Sequence, residues 1–186
     1  MSNTPPELLA GFPRLVAQKI DAAIPELAEC DWHPGRFDLA EIRDFGARTP
    51  SVRVSLITVG PGAEQGGPTW DHELVMAAFV LTQDAPGLPR DVMAMALVQR
   101  LLQLIPTTNW GSDHVGQARQ VSAESLYSKG TRERGIGLWG ISWRQHMRLV
   151  TDTPLDPNFL EVICSTGLNA PAFDPFEVSR IEGDAA

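Results

Sequence analysis

The apolar run at residues 74–82 is the feature that most constrains the fold of this chain. It reads LVMAAFVLT, so both the odd-numbered and the even-numbered positions carry apolar side chains. An extended strand points successive side chains to opposite faces, and nine residues reach roughly 30 Å. A strand that is apolar on both faces needs cover on both sides. Residues 74–82 therefore predict the central strand of a sheet.

Three other segments show the alternation that is typical of strands. Residues 52–57 alternate as in a strand with one face more buried, residues 115–126 alternate weakly, and residues 136–149 alternate strongly. In this last strand one predicted face is apolar and the other is polar: Trp139, Ile141, Trp143, Met147 and Leu149 against Ser142, Arg144, His146 and Arg148. Residues 60–68 are rich in Gly and Pro and predict a loop or a wide hairpin connection between the first two strands.

Two segments have the three- and four-residue apolar spacing of helices. In residues 7–29, Pro13 is expected to begin the main helix, and Pro25 predicts that the helix ends or kinks near Ala23 or Ile24. Residues 90–105 form the second predicted helix, in which Met93 and Met95 are interpreted as core filler. Its predicted buried side consists of Val92, Met95, Ala96, Leu101, Leu102 and Ile105. The order is thus helix, strand, strand, helix, strand, strand, with residues 30–50 unassigned.

Periodicity stops at residue 151, so the chain is predicted to contain an α+β body, residues 1–150, and a C-terminal extension, residues 151–186. Four prolines interrupt short apolar clusters in the extension. Such a segment cannot build its own core; it docks on the body, docks on a neighbouring chain, or stays unfolded until a partner binds.

The charge of the whole chain argues against a general nucleic-acid binder. The formal net charge is −8, of which −6 lies from residue 150 onward and only −2 in the rest. Binding to phosphates requires a basic surface. No run is long enough to predict a membrane span, and the N-terminus lacks the pattern of a signal peptide. Two cysteines cannot form a disulfide framework, which favours a reducing compartment.

No motif predicts catalysis, a cofactor or a metal site. Four histidines occur, two of them in the dipeptides Asp71-His72 and Asp113-His114, but none has the spacing of metal ligands. Cys30 and Cys164 have no basic partner nearby in sequence, as a reactive thiol would need. The prediction is a protein that is not an enzyme. A small hydrolase that forms an Asp–His pair in three dimensions stays open as an alternative.

Other features favour an assembly protein. Five tryptophans stand against one tyrosine. Trp139 and Trp143 are predicted to be core, whereas Trp32, Trp70 and Trp110 fall in or beside loops and need a pocket or a partner. The predicted interface residues lie in a basic connection that would face an acidic neighbour and in the extension: Lys129, Arg132 and Arg134, and Phe159, Leu160, Phe173 and Phe176.

Six short segments within residues 101–145 carry a resemblance to a known family. They read LLQLIP (101–106), NWG (109–111), GQAR (116–119), ESLYS (124–128), RGIGLW (134–139) and WRQ (143–145). They resemble small proteins of Mu-like phages and prophages that are encoded between head–tail connector genes and sheath or tube genes. The pattern looks like that of the tail-terminator class, over roughly residues 7–149.

The resemblance implies an α+β fold with a small mixed or antiparallel four-stranded sheet flanked by two helices. It also implies a homo-oligomeric six-fold ring in the virion, at the head–tail interface, assembled in the host cytoplasm. Its expected partners are the tail tube protein, the sheath protein where one exists, and head–tail connector proteins. DNA would pass through the ring without sequence-specific binding, and no membrane is involved. A head-completion or connector protein of the portal channel is the alternative from the same gene neighbourhood.

Overall fold

A computed structural model of the protein describes residues 8–35, 48–65, 69–126 and 135–150. The chain divides into units Met1–Thr153 and Pro154–Ala186, and the described residues all belong to the first unit. The elements in chain order are α1 (Leu8–Ala23), β1 (Glu29–Trp32), β2 (Ser51–Glu64), β3 (Thr69–Gln83), α2 (Arg90–Leu104), a 3₁₀ turn (Ile105–Thr107), β4 (Arg119–Ser125) and β5 (Ile136–Val150).

The strands form one five-stranded mixed sheet in the order β1-β2-β3-β5-β4. Only the β1–β2 pair is parallel; the other three pairs are antiparallel. β3 is central, as its sequence predicts, and pairs along its full length with β5, from Thr69 opposite Val150 to Gln83 opposite Ile136. This long β3–β5 ladder is the axis on which both sheet faces are built.

One face of the sheet, which we call the helix face, packs against α1 and α2. Alternate residues of the strands point to it and lie in one core with residues of both helices. The main contributors are Phe12, Val16 and Ile20 of α1, Leu74, Met76, Ala78 and Val80 of β3, Leu97, Val98 and Leu101 of α2, and Ile141, Trp143 and Met147 of β5. The opposite face, the outer face, has a smaller apolar cluster of Ala77, Phe79, Leu81, Ile136 and Leu138.

Gln145 is a polar residue in the middle of the apolar helix face, and its side chain is only 1% exposed. Its Oε1 accepts hydrogen bonds from Trp110 Nε1 at 2.9 Å and from Trp143 Nε1 at 3.2 Å. Its Nε2 donates to the carbonyl oxygen of Gly116 at 2.6 Å. Because a buried amide is costly unless its groups are paired, these bonds hold the 105–118 connection against β5.

The turn around Trp110 shows how closely this connection is fitted to β5. Trp110 has a φ of 62° and Gly111 a φ of 76°, a region that L side chains rarely adopt. The Asn109 side chain supports the turn by accepting from the Gly111 N–H and donating to the Ser112 carbonyl. Burial of the Trp110 ring, 1% exposed and 6.2 Å from the ring of Trp143, offsets the backbone strain.

The α+β class is confirmed, but the predicted count of four strands is wrong. The fifth strand, β1, lies in the stretch that the sequence left unassigned, and its four residues are too few to show a period. β2 continues to Glu64, so residues 60–64 are strand and not loop. β4 begins at Arg119, because Val115 makes only an isolated bridge to Met147.

The helix predictions need two corrections. Pro13 does not begin α1: the helix starts at Leu8, and Pro13 lies inside it as a buried residue. In α2 the buried residues are Ala94, Leu97, Val98 and Leu101, whereas Val92 and Met95 are 49% and 54% exposed. Ala96 is exposed as well, so the prediction is wrong for the first half of the helix. It is confirmed for Leu101 and Ile105, which are buried, and Leu102 and Met93 pack against the core. The interpretation of Met95 as core filler is wrong.

We expect Gln145→Met to lower the free energy of unfolding by about 3 kcal/mol, because it leaves the indole N–H groups of Trp110 and Trp143 buried without an acceptor. Gln103→Met is the matched control; Gln103 is exposed on α2, and the change should be below about 0.5 kcal/mol. Urea unfolding followed by tryptophan fluorescence measures both. Equal stability of the two variants would contradict the role given to Gln145.

Candidate interaction surface

The outer face contains a groove that crosses β3, β5 and β4. It consists of two depressions of about 490 Å³ and 460 Å³ that share Val75 and Ser142. The larger depression is mainly apolar, and its lining includes Ile57, Ala77, Phe79, Leu126 and Gly140. The smaller depression is more polar, and its lining includes Gln120, Ser122 and Arg144. We call the two together the outer groove.

Small side chains create the outer groove. Ala77, Ser142 and Ser122 stand side by side on β3, β5 and β4, because Ser142 pairs with both of the others. The two serine hydroxyls are hydrogen-bonded at 3.1 Å. Gly140 lets Leu126 approach closely: a Cβ on Gly140 would lie 3.1 Å from Leu126 Cδ1, so Leu126 would have to shift. The groove floor is thus low where the neighbouring residues Phe79 and Leu126 are large.

Arginines and carboxylates follow the outer groove along β3 and β5. Arg144 Nη1 donates to Glu73 Oε1 at 2.6 Å. Arg148 donates two bonds to the carboxylate of Asp71, at 2.9 Å and 3.1 Å. This bidentate contact lowers the pKa of Asp71 and raises that of Arg148. Both arginine side chains remain about half exposed, so the pairs contribute little to stability and leave donors facing solvent.

Arg119 adds a third positive charge beside this groove. It is exposed and lies directly opposite Arg144 in the β4–β5 register. Like charges that face each other across a strand pair repel. The next step of the ladder is irregular, with Gln120 at a φ of 51° and a register shift before Ser122. Because Arg144 and Arg148 already pair with Glu73 and Asp71, Arg119 supplies the positive charge that would attract an anionic group to the polar end of the outer groove.

Several large apolar side chains are exposed away from the groove. Leu88, Val92 and Met95 are 40%, 49% and 54% exposed, at the start of α2. Trp32 and Trp70 are 40% and 38% exposed, and Arg14 lies over the Trp32 ring at 5.4 Å. Of the three tryptophans predicted to lie in or beside loops, only Trp110 is buried within the body. Trp143 is core as predicted, and Trp139 packs at its margin.

The adjacent residues Asp71 and His72 do not pair with each other, as one form of the hydrolase alternative would need. Asp71 bonds Arg148, while His72, the next residue of β3, points to the opposite face and donates from Nδ1 to the Gly60 carbonyl at 3.1 Å. His33 is buried and His146 is exposed on β5. Among the described residues, no group of three or more His, Cys, Asp or Glu side chains is placed to hold a metal ion.

All seven predicted interface residues lie outside the described residues, so those predictions stay predictions: Lys129, Arg132 and Arg134, and Phe159, Leu160, Phe173 and Phe176. Sequence reasoning identified the polar face of β5 but missed the groove on it. The signal was the pair of small residues Gly140 and Ser142, two positions apart. The space they leave becomes visible only from the register of β3 and β5, which places Ser142 opposite Ala77 and Gly140 opposite Phe79.

The chain matches no protein-family model and no curated protein sequence. None of the helices in the described part of the chain is long and apolar enough to cross a membrane.

Cys30 lies on β1 against the helix-face core, and its environment disfavours the thiolate. Burial is the main cause that raises the pKa of its thiol from 9.0 to about 12, and the nearby charge of Asp21 adds to the effect. A thiol with this pKa is a poor nucleophile at neutral pH.

In a Cys164→Ser variant, we expect Cys30 to react with a thiol reagent at pH 8 about 100-fold more slowly in the folded than in the urea-unfolded protein. Because folding raises the pKa of Cys30, its contribution to stability is complete below pH 9 and is lost as pH rises from 9 towards 12. Cys30→Ser should remove this part of the pH dependence. Equal reaction rates in the two states would show that Cys30 is not protected.

Proposed function

We propose that this chain is a structural protein of a phage virion. It forms a six-fold ring that caps the tail tube, and the sheath where one exists, ends tail polymerisation and offers a docking surface to the head. The observation that carries the proposal is the meeting of three separated segments of the resemblance, NWG, GQAR and WRQ, at Gln145. The resemblance therefore concerns residues that form one packed unit.

A terminator has to stop a process that otherwise repeats. Tube subunits stack without limit unless the last layer meets a ring with one face that fits a tube subunit and another that does not. Such a ring needs two different surfaces on each protomer for its neighbours. The body offers surfaces of different chemistry: the outer groove with its arginines on the sheet, and the exposed apolar start of α2.

Exposed apolar side chains also support an assembly role. Contiguous apolar residues at a surface are typical of sites that contact another protein. Leu88, Val92 and Met95 share the start of α2, and Met95 adapts easily to a partner because its side chain is flexible and polarizable. The basic connection with Lys129, Arg132 and Arg134 remains our proposed contact to an acidic neighbour.

The test is the growth of tail tubes from purified tube protein, followed by light scattering. We expect the chain, added at about one ring for each tube end, to stop elongation, because a capped end offers no copy of a subunit surface to the next layer. The control is the unstable variant Gln145→Met at a temperature at which it is unfolded. Unchanged growth together with binding to portal and adaptor proteins would instead support a connector of the portal channel.

A further inference from the structure

The outer groove has two chemically different ends, and the described side chains fill neither. Phe79 and Leu126 border the apolar end. Ser122 and Arg144 border the polar end. A single occupant that satisfies both ends needs an apolar side chain for the first and hydrogen-bond acceptors for the second.

A carboxylate fits the polar end of the outer groove because two arginines, Arg119 and Arg144, lie opposite each other there. Arg144 uses Nη1 for its contact with Glu73, and half of its side chain is exposed. Arg119 stands opposite Arg144 in register and carries the same charge. A carboxylate placed between two guanidinium groups relieves their repulsion and can accept a bidentate pair of hydrogen bonds.

The C-terminal extension has this combination of groups. Residues 173–177 read FDPFE, so each phenylalanine is followed directly by an acidic residue. The segment from residue 150 onward has a net charge of −6, opposite in sign to the arginines at the groove. The 22 residues at 151–172, when extended, reach roughly 75 Å, which is far enough to bring residues 173–177 to an adjacent molecule.

We propose that residues 173–177 of one copy of the chain bind in the outer groove of a second copy. A phenyl ring enters the apolar end near Phe79, and a neighbouring carboxylate binds Arg119 and Arg144. The contact is heterologous, since a tail meets a groove, so it links copies in one direction and can close a ring. This inference rests on the proposed ring function and identifies the contact between adjacent protomers of the ring.

The test is a disulfide trap between two populations of the full chain that lack the natural cysteines through Cys30→Ser and Cys164→Ser. One population carries Ser142→Cys in the groove, and the other carries Ala172→Cys beside the proposed anchor and an affinity tag. After mixing and mild oxidation, we expect a mixed disulfide between the two populations. The matched control replaces Ser142→Cys with Gln103→Cys on the exposed side of α2 and should give little product.

The charge contribution is tested in the same trap. Arg119→Gln together with Arg144→Gln should lower the yield of mixed disulfide about five-fold, as expected for the loss of roughly 1 kcal/mol of exposed ion pairing. Lys19→Gln, an exposed change on α1, should leave the yield unchanged. Phe173→Ala with Phe176→Ala should lower it without any effect on the fold of the body.

Two results would overturn the proposal. A yield no higher than that of the Gln103→Cys control would show that the groove is not the docking site. A chain that carries both Ser142→Cys and Ala172→Cys serves as a further sample. A disulfide within this chain, without any mixed disulfide between the two populations, would show that no second copy is involved. Either result could occur while the protein still stops tube growth, so failure of this contact is distinguishable from failure of the function.

Discussion

The hydrogen bonds of one buried amide hold the connection between α2 and β4 against β5. Gln145 lies on β5, where its neighbours on the same face are aromatic and aliphatic, and each of its polar atoms has a partner. Replacement of any partner would leave a polar group in a low-dielectric interior, which costs more than one ordinary hydrogen bond contributes. The arrangement fixes the 105–118 connection, and this connection leads directly into β4.

The position of β4 matters because the outer groove exists only while β3, β5 and β4 keep their registers. Ser142 has to lie between Ala77 and Ser122, and Leu126 has to approach Gly140. Gln145 with its hydrogen-bond partners on the helix face and the outer groove on the opposite face therefore depend on the same strand, β5. Odd-numbered residues of β5 form the core and even-numbered residues face the groove. The period of two makes one strand both scaffold and surface.

Sequence reasoning succeeded where one periodicity dominated. The strong alternation of β5 and the two-sided apolarity of β3 placed both strands correctly, because each follows from where side chains must point. β1 is too short to show a period, and in α2 Val92 and Met95 have core chemistry but face solvent. Two of the three partners of Gln145, Trp110 and Gly116, lie 35 and 29 positions away, so no local pattern reveals them. A polar residue at an inward position between Trp143 and Met147 was nevertheless a readable signal.

The central claim is that copies of this chain close into a ring at the end of a tail tube. Electron micrographs of tube ends, averaged after incubation with the purified chain, test it most directly. The account predicts an added layer with six-fold rotational symmetry at one end of each tube and none along the wall. Bare ends in all class averages, with the protein remaining as separate single copies, would contradict it.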